Sequence, residues 1–249
     1  MSRLLISAEK MKYIWILLVL VVLFWGTTNP PFIASNMLGI KNVGQIAGKN
    51  MEVRITYGPY WFHQIAMIIT AAPTYAIWIE DLDGQYVDTY YVTNKFYQWT
   101  RGATNNAPER IEALPYWWHK QRGTLLTDAV TAATPKEDIS IVNTINNSPE
   151  KFVLKMEVNN SFDYNEYYTK DGENETVPTK GGGQPALIYS AVIDVSHPSR
   201  EYEMMLVGHS SPDGSNGRLY SDIATVTTAR QMIDKVIVKI EGVSNNTSD

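Results

Sequence analysis

The sequence contains no cysteine, which excludes disulfide bonds, thiolate metal sites, a cysteine nucleophile, c-type haem attachment and lipid attachment at a cysteine. Histidine is also scarce, with four residues in the chain. They are His63, His119, His197 and His209, and no two of them have the four-residue spacing of a helical zinc signature. The sequence therefore carries no signature of a zinc site built on one helix.

An excess of basic charge is absent as well. The formal net charge is -5 and the sequence pI about 5.4, which argues against a general nucleic-acid-binding protein, since such proteins need a basic face to meet phosphates. The 249 residues suffice for one large β domain or two small ones. With 44% hydrophobic and 19% charged residues, the composition is that of a globular protein. The 15 Tyr and 7 Trp residues favour strands, because aromatic side chains pack well on pleated sheets.

One long apolar run lies near the N-terminus, where every residue from 14 to 25 is apolar and three basic residues precede the run. A basic start followed by an apolar run is typical of a secretory signal or a signal anchor. The run is shorter than the ~20 residues that span a membrane, but its neighbours can extend it. We predict an uncleaved signal anchor, a transmembrane helix within residues 1–29, followed by a linker over 30–49 that begins with Pro30-Pro31.

Two alternatives for this segment remain open. A cleaved signal peptide is the first, and it becomes the better interpretation if translation begins at Met11. The second is a buried core helix. Because the basic residues precede the apolar run, the body of the protein is predicted to lie outside the cytoplasm, in the periplasm or at the cell surface.

Alternation of apolar and polar residues predicts a series of β-strands after the linker. Residues 51–57 alternate without a break, as a half-buried strand does. Residues 75–93 are predicted to form a hairpin around Asp83-Gly84, because Asp-Gly favours tight hairpin turns. The segment 186–195 is apolar on both faces and is predicted to be a central strand. Further strands are predicted over 152–158, 202–207 and 236–240.

About eight short strands with few helices predict an all-β fold, an immunoglobulin-like β-sandwich over residues 50–243. A subdomain break is predicted near 136–150 and a disordered tail over 244–249. One short helix is expected over 108–114, with proline in its first turn and Pro115 limiting it.

A second helical segment of one or two turns is expected over 228–234. It would place Ala229, Met232 and Ile233 on one face, as an amphipathic helix packed on the core does.

Three segments of the first half carry a resemblance to a known family. They are residues 76–84, 110–115 and 128–135, and they resemble the DUF2271 family of predicted periplasmic proteins. The similarity covers about residues 50–140, and its most specific part is the Trp-Ile-Glu-Asp stretch within the first segment. The resemblance implies an extracytoplasmic β-sandwich of the kind associated with membrane flavin and haem reductase systems.

The segment Asp128-x-x-Thr131-Ala132-Ala133-Thr134 is also similar to the acceptor motif of extracytoplasmic flavinyl transferases, in which the last threonine carries FMN through a phosphoester. The resemblance implies that Thr134 is the acceptor, that the alanines let the transferase approach and that Asp128 positions the acceptor or the transferase metal. Family motifs often have Gly or Ser where Ala132 stands. The alternative is that Asp128 caps a turn and the threonines lie on a strand edge.

An aromatic cluster follows the predicted helix, with Trp117, Trp118 and His119 adjacent in sequence. Indole rings offer large π faces, so Trp117 and Trp118 are candidates for stacking on an isoalloxazine ring or for packing near a haem. The alternative is a hydrophobic plug with a surface histidine.

Two polar segments give weaker indications. An acidic loop offers oxygen ligands for Ca²⁺ but lacks the spacing of a known calcium loop, so a solvated charge run is the alternative. Its acidic residues are Asp163, Glu166, Asp171, Glu173 and Glu175. The segment His209-Ser210-Ser211 with Asp213 suggests a hydrolase, but the chain has no Gly-x-Ser-x-Gly elbow, and a plain β-turn is the alternative.

Two hypotheses about function follow from these patterns. The first is an auxiliary redox protein that carries or docks a flavin, with FMN bound covalently at Thr134. The second is a non-catalytic structural or binding module of the cell envelope, because the sequence contains no convincing constellation of acid, base or metal ligands. Either would contact the membrane through the N-terminal helix and an envelope redox or structural protein as partner, and neither would bind nucleic acid.

Overall fold

A computed structural model describes residues 49–66, 69–93, 111–122, 130–132, 139–145, 148–170, 177–179, 182–197 and 200–242. The chain divides into two compact units, residues 1–43 and 44–249, and every described residue belongs to the second. The predicted anchor over 1–29, all but the last residue of the predicted linker and the predicted tail lie outside these ranges. Within them, no helix is long and apolar enough to cross a membrane.

Strands dominate the described residues, as the all-β prediction requires. In chain order they are β1 (Lys49–Tyr57), β2 (His63–Ala66), β3 (Ile69–Ala71), β4 (Thr74–Glu80), β5 (Tyr86–Thr93), β6 (Val130–Ala132), β7 (Ile139–Ile145), β8 (Lys151–Asn159), β9 (Tyr168–Thr169), β10 (Val177–Pro178), β11 (Leu187–Asp194), β12 (Glu201–Glu203), β13 (Met205–His209) and β14 (Ile233–Gly242). One α-helix, α1 (Pro115–Gln121), and two 3₁₀ helices, Ile111–Ala113 and Thr228–Gln231, accompany them in the described part.

The strands form two larger sheets and two small ones. The four-stranded sheet has the order β12-β14-β1-β7, and all of its pairs are antiparallel. The six-stranded sheet has the order β13-β11-β8-β4-β5-β6, antiparallel except for the parallel pair of β5 and β6. The small sheets pair β2 with β3 and β9 with β10.

The main hydrophobic core is built from both larger sheets. The alternation in β1 places Met51, Val53 and Ile55 in this core, and the alternation in β8 does the same for Leu154 and Met156. Because side chains from both sheets belong to one apolar cluster, the two sheets share a core.

A second apolar cluster covers the other face of the six-stranded sheet. It joins Trp78 of β4 and Ile188 of β11 to Leu114 and Trp117 at α1. All seven residues of β4 are buried, because the main core lies on one of its faces and α1 covers the other.

Two local predictions are confirmed. Strands β4 and β5 form the predicted antiparallel hairpin, with Gly84 in the turn at a φ of 77° that favours glycine. Strand β11 has a neighbour on each side, as predicted for a segment that is apolar on both faces.

The two helix predictions need correction. Pro115 begins α1 instead of limiting a helix, because proline lacks only an N–H group that the first turn leaves unbonded anyway. Of the predicted helix over 108–114, residues 111–113 form a 3₁₀ turn, and 108–110 lie outside the described residues. The segment predicted over 228–234 ends early, since its 3₁₀ helix stops at Gln231 and Ile233 already pairs in β14.

Candidate functional site

A buried carboxylate of β8 holds the start of α1 on the sheet. The Oε1 atom of Glu157 accepts the backbone N–H of Tyr116 at 3.1 Å, and its Oε2 atom accepts that of Trp117 at 2.7 Å. A helix leaves its first N–H groups without partners inside the helix, and the two oxygens of this carboxyl group accept hydrogen bonds from two of them. Glu157 therefore acts as the cap that α1 does not have in its own sequence.

Burial dominates the electrostatics of this carboxyl group. It raises the pKa of Glu157 to about 8, against the opposing effect of the N–H groups of Trp117 and Tyr116 and the hydroxyl of Ser210. The group therefore binds a proton much more readily than an exposed glutamate does.

A second buried carboxylate lies on the same sheet face. Glu80 accepts the indole N–H of Trp78 at 3.0 Å and lies 3.6 Å from the amine of Lys120. Lys120 also donates to the carbonyl of Gly84 at 2.7 Å, which ties α1 to the hairpin turn. Burial lowers the pKa of the nearby Lys155 amine, and the charge of Glu80 opposes that effect.

The two tryptophans proposed to stack on a flavin lie on α1. Trp117 is fully buried, and its indole N–H donates to the hydroxyl of Thr89 at 2.9 Å. That hydroxyl also shares a 2.6 Å hydrogen bond with Tyr86. Trp118 is half-buried and packs against the same apolar cluster. Trp117 thus has the role of a core residue, and a stacking role for either ring stays a prediction.

Only part of the proposed acceptor segment belongs to the described residues. The backbone of Thr131 lies in β6, where it pairs with Val92 of β5. Asp128 and Thr134 lie outside the described residues, so their relation to Trp117 stays a prediction.

The serine, histidine and aspartate suggested as a hydrolase site do not form a relay. Ser211 donates its hydroxyl to Asp213 at 2.5 Å. His209 is bonded through Nδ1 to the carbonyl of Ser210 at 2.7 Å and stacks on Tyr220. A serine–histidine relay requires the hydroxyl to bond to the imidazole, and here the Ser211 hydroxyl bonds to the carboxylate of its own turn.

Three segments that are distant in sequence bring a carboxylate, a carboxamide and two threonine hydroxyls together. We call these four residues the Asp163 cluster. Its members are Asp163 after β8, Gln184 before β11, and Thr227 and Thr228 at the 3₁₀ helix before β14. The hydroxyl of Thr228 donates to both carboxylate oxygens of Asp163, at 2.8 Å each. It also accepts the Nε2 amide group of Gln184 at 2.5 Å.

The oxygen of the Gln184 carboxamide is also hydrogen-bonded, on the side away from Thr228. The Oε1 atom accepts the backbone N–H of Thr227 at 2.7 Å and the Thr227 hydroxyl at 3.2 Å. The side chains of Asp163 and Gln184 are buried, and Thr228 is half-buried. Every polar atom of the carboxamide that faces this cluster is therefore bonded in a fixed orientation.

Glycine permits the close approach of these segments. Gly183 has a φ of 72°, and a Cβ added there would lie 2.6 Å from the backbone nitrogen of Asp163. The backbone N–H of Gln184 donates to the carbonyl of Asp163 at 2.8 Å. A larger side chain at 183 would push Gln184 away from the carboxylate.

Burial raises the pKa of the Asp163 carboxyl. The hydrogen bond from Thr228 opposes that effect most, followed by the charge of His63 and the bond from Gln184. His63 itself is bonded through Nε2 to the carbonyl of Phe162 at 3.2 Å, beside the cluster.

The acidic loop does not come together as a calcium site in the described residues. Asp163 is turned into its own cluster, Glu166 is exposed, and Asp171, Glu173 and Glu175 lie outside the described ranges. Among the residues that the structure describes, no group of three or more His, Asp or Glu side chains could hold a metal ion.

Sequence reasoning identified Asp163 only as an acidic residue of a loop and did not identify Gln184, Thr227 or Thr228. The signal was the glycine run 181–183 directly before Gln184, which is typical of a close backbone approach.

Comparison of this chain with protein-family models, with curated proteins and with solved structures gave no match in any of the three. The resemblance to the DUF2271 family therefore stays a prediction.

Proposed function

We propose that this chain is an extracytoplasmic, immunoglobulin-like β-sandwich that serves as a structural or binding module of the cell envelope and is held at the membrane by its N-terminal apolar segment. The shared core of the four-stranded and six-stranded sheets supports the sandwich. The basic residues before the apolar run 14–25 support export. Such a module acts through the surface it presents and not by chemistry on a separate substrate.

The observation that carries this proposal is the use of the buried carboxylates. Glu157 is bonded to two backbone N–H groups of α1, and Asp163 is bonded to Thr228. Both carboxylates hold secondary-structure elements in place. Active sites that act on a separate substrate direct such groups into a cleft, whereas these two carboxyl groups are bonded to groups of the chain itself.

Experiments on intact cells test the proposal by locating the chain relative to the membrane and by identifying the protein that it contacts. The full chain with a C-terminal tag is expected to sediment with the membranes and to need detergent for extraction. Protease added outside intact cells, or outside spheroplasts where there is an outer membrane, is expected to digest the β body while a cytoplasmic marker survives. Cross-linking in those cells is expected to join it to an envelope protein. A tagged body that is protected until the cytoplasmic membrane is lysed would contradict the proposal.

A second candidate function is a flavin carrier with FMN on Thr134. It is favoured by the position of β6, which is the last strand of the six-stranded sheet among the described residues. The proposed acceptor segment would therefore begin at a sheet edge, where a transferase can approach the backbone.

The two candidates differ at Thr134. If the chain is a flavin carrier, protein from cells with a flavinyl transferase is yellow and carries an FMN-sized mass increment, and Thr134→Val abolishes both. Thr144→Val is the matched control, because it removes an exposed threonine hydroxyl from β7 and is expected to leave the colour unchanged. A colourless, unmodified wild-type chain from such cells would exclude the carrier and leave the structural module.

A further inference from the structure

We propose that Thr228 and Gln184 join in an intramolecular ester bond, formed by the folded chain itself with release of ammonia and with Asp163 as the general base. The proposal goes beyond the envelope module, because it concerns a covalent modification within the fold and does not depend on the compartment. It rests on the geometry of the Asp163 cluster, in which the Thr228 hydroxyl is hydrogen-bonded both to the carboxylate of Asp163 and to the amide group of Gln184.

The hydroxyl of Thr228 is placed as an activated nucleophile. A threonine hydroxyl is weakly nucleophilic at its ordinary pKa and requires an adjacent base. The Thr228 hydroxyl proton points at both oxygens of Asp163, which are 2.8 Å away and buried from water. Its Oγ1 atom also accepts the Nε2 amide group of Gln184 at 2.5 Å, so the hydroxyl lies beside the nitrogen that would leave, and a small rotation of the carboxamide would bring its carbon to Oγ1.

The carboxamide of Gln184 is placed as the electrophile. Attack on its carbon moves negative charge onto Oε1, and that atom already accepts the N–H of Thr227 at 2.7 Å. A backbone donor aimed at the developing oxyanion stabilises the tetrahedral intermediate, and here the Thr227 hydroxyl at 3.2 Å adds a second one. Proximity also contributes, because all these groups are fixed by the fold before the reaction begins.

The step balances without another reactant. The Thr228 hydroxyl gives its proton to Asp163 as the bond from Oγ1 to the Gln184 amide carbon forms. The tetrahedral intermediate collapses, the bond from that carbon to Nε2 breaks, and Asp163 returns the proton to the leaving nitrogen. The products are an ester between the two side chains and one molecule of ammonia, with the carboxylate regenerated.

The bond would connect the two larger sheets. Gln184 lies just before β11 of the six-stranded sheet, and Thr228 begins the 3₁₀ helix before β14 of the four-stranded sheet. The two residues are 44 apart in sequence, so the ester would close a loop of the size that disulfides close in secreted domains. This chain has no cysteine with which to make such a link.

Peptide mass analysis of the full chain, purified in mild detergent, tests the proposal. Trypsin cuts after Lys180, Arg200, Arg218 and Arg230, so the digest of a cross-linked chain contains peptide 181–200 joined to peptide 219–230. Loss of ammonia makes this pair about 17 Da lighter than the sum of the two peptides. Alkaline hydroxylamine is expected to separate the pair and to leave a hydroxamate at position 184, since it cleaves esters and spares amides.

Variants assign the roles. Thr228→Val is expected to abolish the joined peptide, and Thr228→Ser to restore it, which separates loss of the nucleophile from loss of folding. Asp163→Asn is expected to slow formation of the link by about 100-fold or more, because general-base catalysis contributes at least that much. Thr227→Val keeps the backbone N–H but loses the second donor to the oxyanion, so it is expected to form the link more slowly than the wild type.

Thr225→Val is the matched control on the same loop. The Thr225 hydroxyl bonds to Tyr168 and not to the Asp163 cluster, so this variant is expected to be cross-linked like the wild type. A folded wild-type chain in which both peptides remain separate and unmodified would overturn the proposal. Conversion of Gln184 to glutamate without a joined peptide, or a link that survives hydroxylamine, would overturn it as well.

Discussion

Glu157→Ala is expected to lower the free energy of unfolding by roughly 2–6 kcal/mol, since each buried backbone N–H left without a partner costs about 1–3 kcal/mol. The substitution removes the acceptor of two such groups, those of Tyr116 and Trp117. It also leaves the short helix α1 with no side-chain cap, because the residue before it provides none. Urea unfolding followed by tryptophan fluorescence measures the loss.

Two variants control this prediction. Glu150→Ala removes an exposed glutamate one residue before the same strand, and a change within about 0.5 kcal/mol is expected. Glu157→Gln keeps the shape and one oxygen but turns an NH₂ group toward a donor, so an intermediate loss is expected. A Glu157→Ala chain as stable as the Glu150→Ala chain would contradict the role of Glu157 as the cap of α1.

The same residue is expected to make stability depend on pH in a direction opposite to that of most carboxylates. Burial raises the pKa of Glu157 from its ordinary value of 4.5 to about 8, so the folded chain holds this proton where the unfolded chain has lost it. The contribution of this proton to the free energy of unfolding is complete below the pKa of Glu157 in the unfolded chain. It is lost as the pH rises through the pKa of Glu157 in the folded chain. The wild type should lose up to about 1.4 kcal/mol per pH unit relative to Glu157→Gln in this window.

Comparing the wild type with Glu157→Gln cancels the pH dependence that other groups contribute to stability. Asp163 is one such group, because burial raises its pKa as well. Urea titrations at several pH values between the two pKa values give the difference directly. If the difference stays constant or grows in favour of the wild type as the pH rises, then the hydrogen bonds from α1 outweigh burial and the carboxyl is ionised in the fold.

Local sequence patterns predicted several of the longer strands but not β7, and the strand predicted over 202–207 is divided into β12 of the four-stranded sheet and β13 of the six-stranded sheet. Residues 51–57 and the hairpin over 75–93 needed no information from elsewhere in the chain. Alternation alone does not reveal what covers the outer face of β8, which carries the charged residues Lys155 and Glu157. The helix α1 covers that face, so Glu157 is fully buried and Lys155 half-buried.

The helix itself depends on tertiary structure. Its cap comes from Glu157, which is 40 residues away from Trp117, so neither the start at Pro115 nor the burial of the ring follows from local propensity. The Asp163 cluster has the same origin, since Gln184 and Thr228 meet only when the two sheets have assembled. No local pattern distinguishes a threonine of such a cluster from one on a loop surface.

A loss of stability of similar size, about 3–5 kcal/mol, is expected from Trp117→Ala, since this is the usual cost of truncating a fully buried tryptophan. The substitution empties the space between α1 and the six-stranded sheet and leaves the hydroxyl of Thr89 without its indole donor. Trp118→Ala is the matched comparison, because Trp118 is the half-buried neighbour on the same helix and a smaller loss is expected.

Comparing Trp117→Ala with Trp118→Ala also distinguishes a ring that packs in the core from a ring that is available to stack on a flavin. A flavin-stacking tryptophan would change the colour or emission of a bound flavin when truncated and would have a modest effect on the free chain. If Trp117→Ala is as stable as Trp118→Ala, the Trp117 ring contributes little to the packing of α1 on the sheet. Trp117 would then also be a candidate for contact with a flavin. If Trp117→Ala costs several kcal/mol more, its ring is committed to the core, and Trp118 alone remains a candidate for contact with a flavin on Thr134.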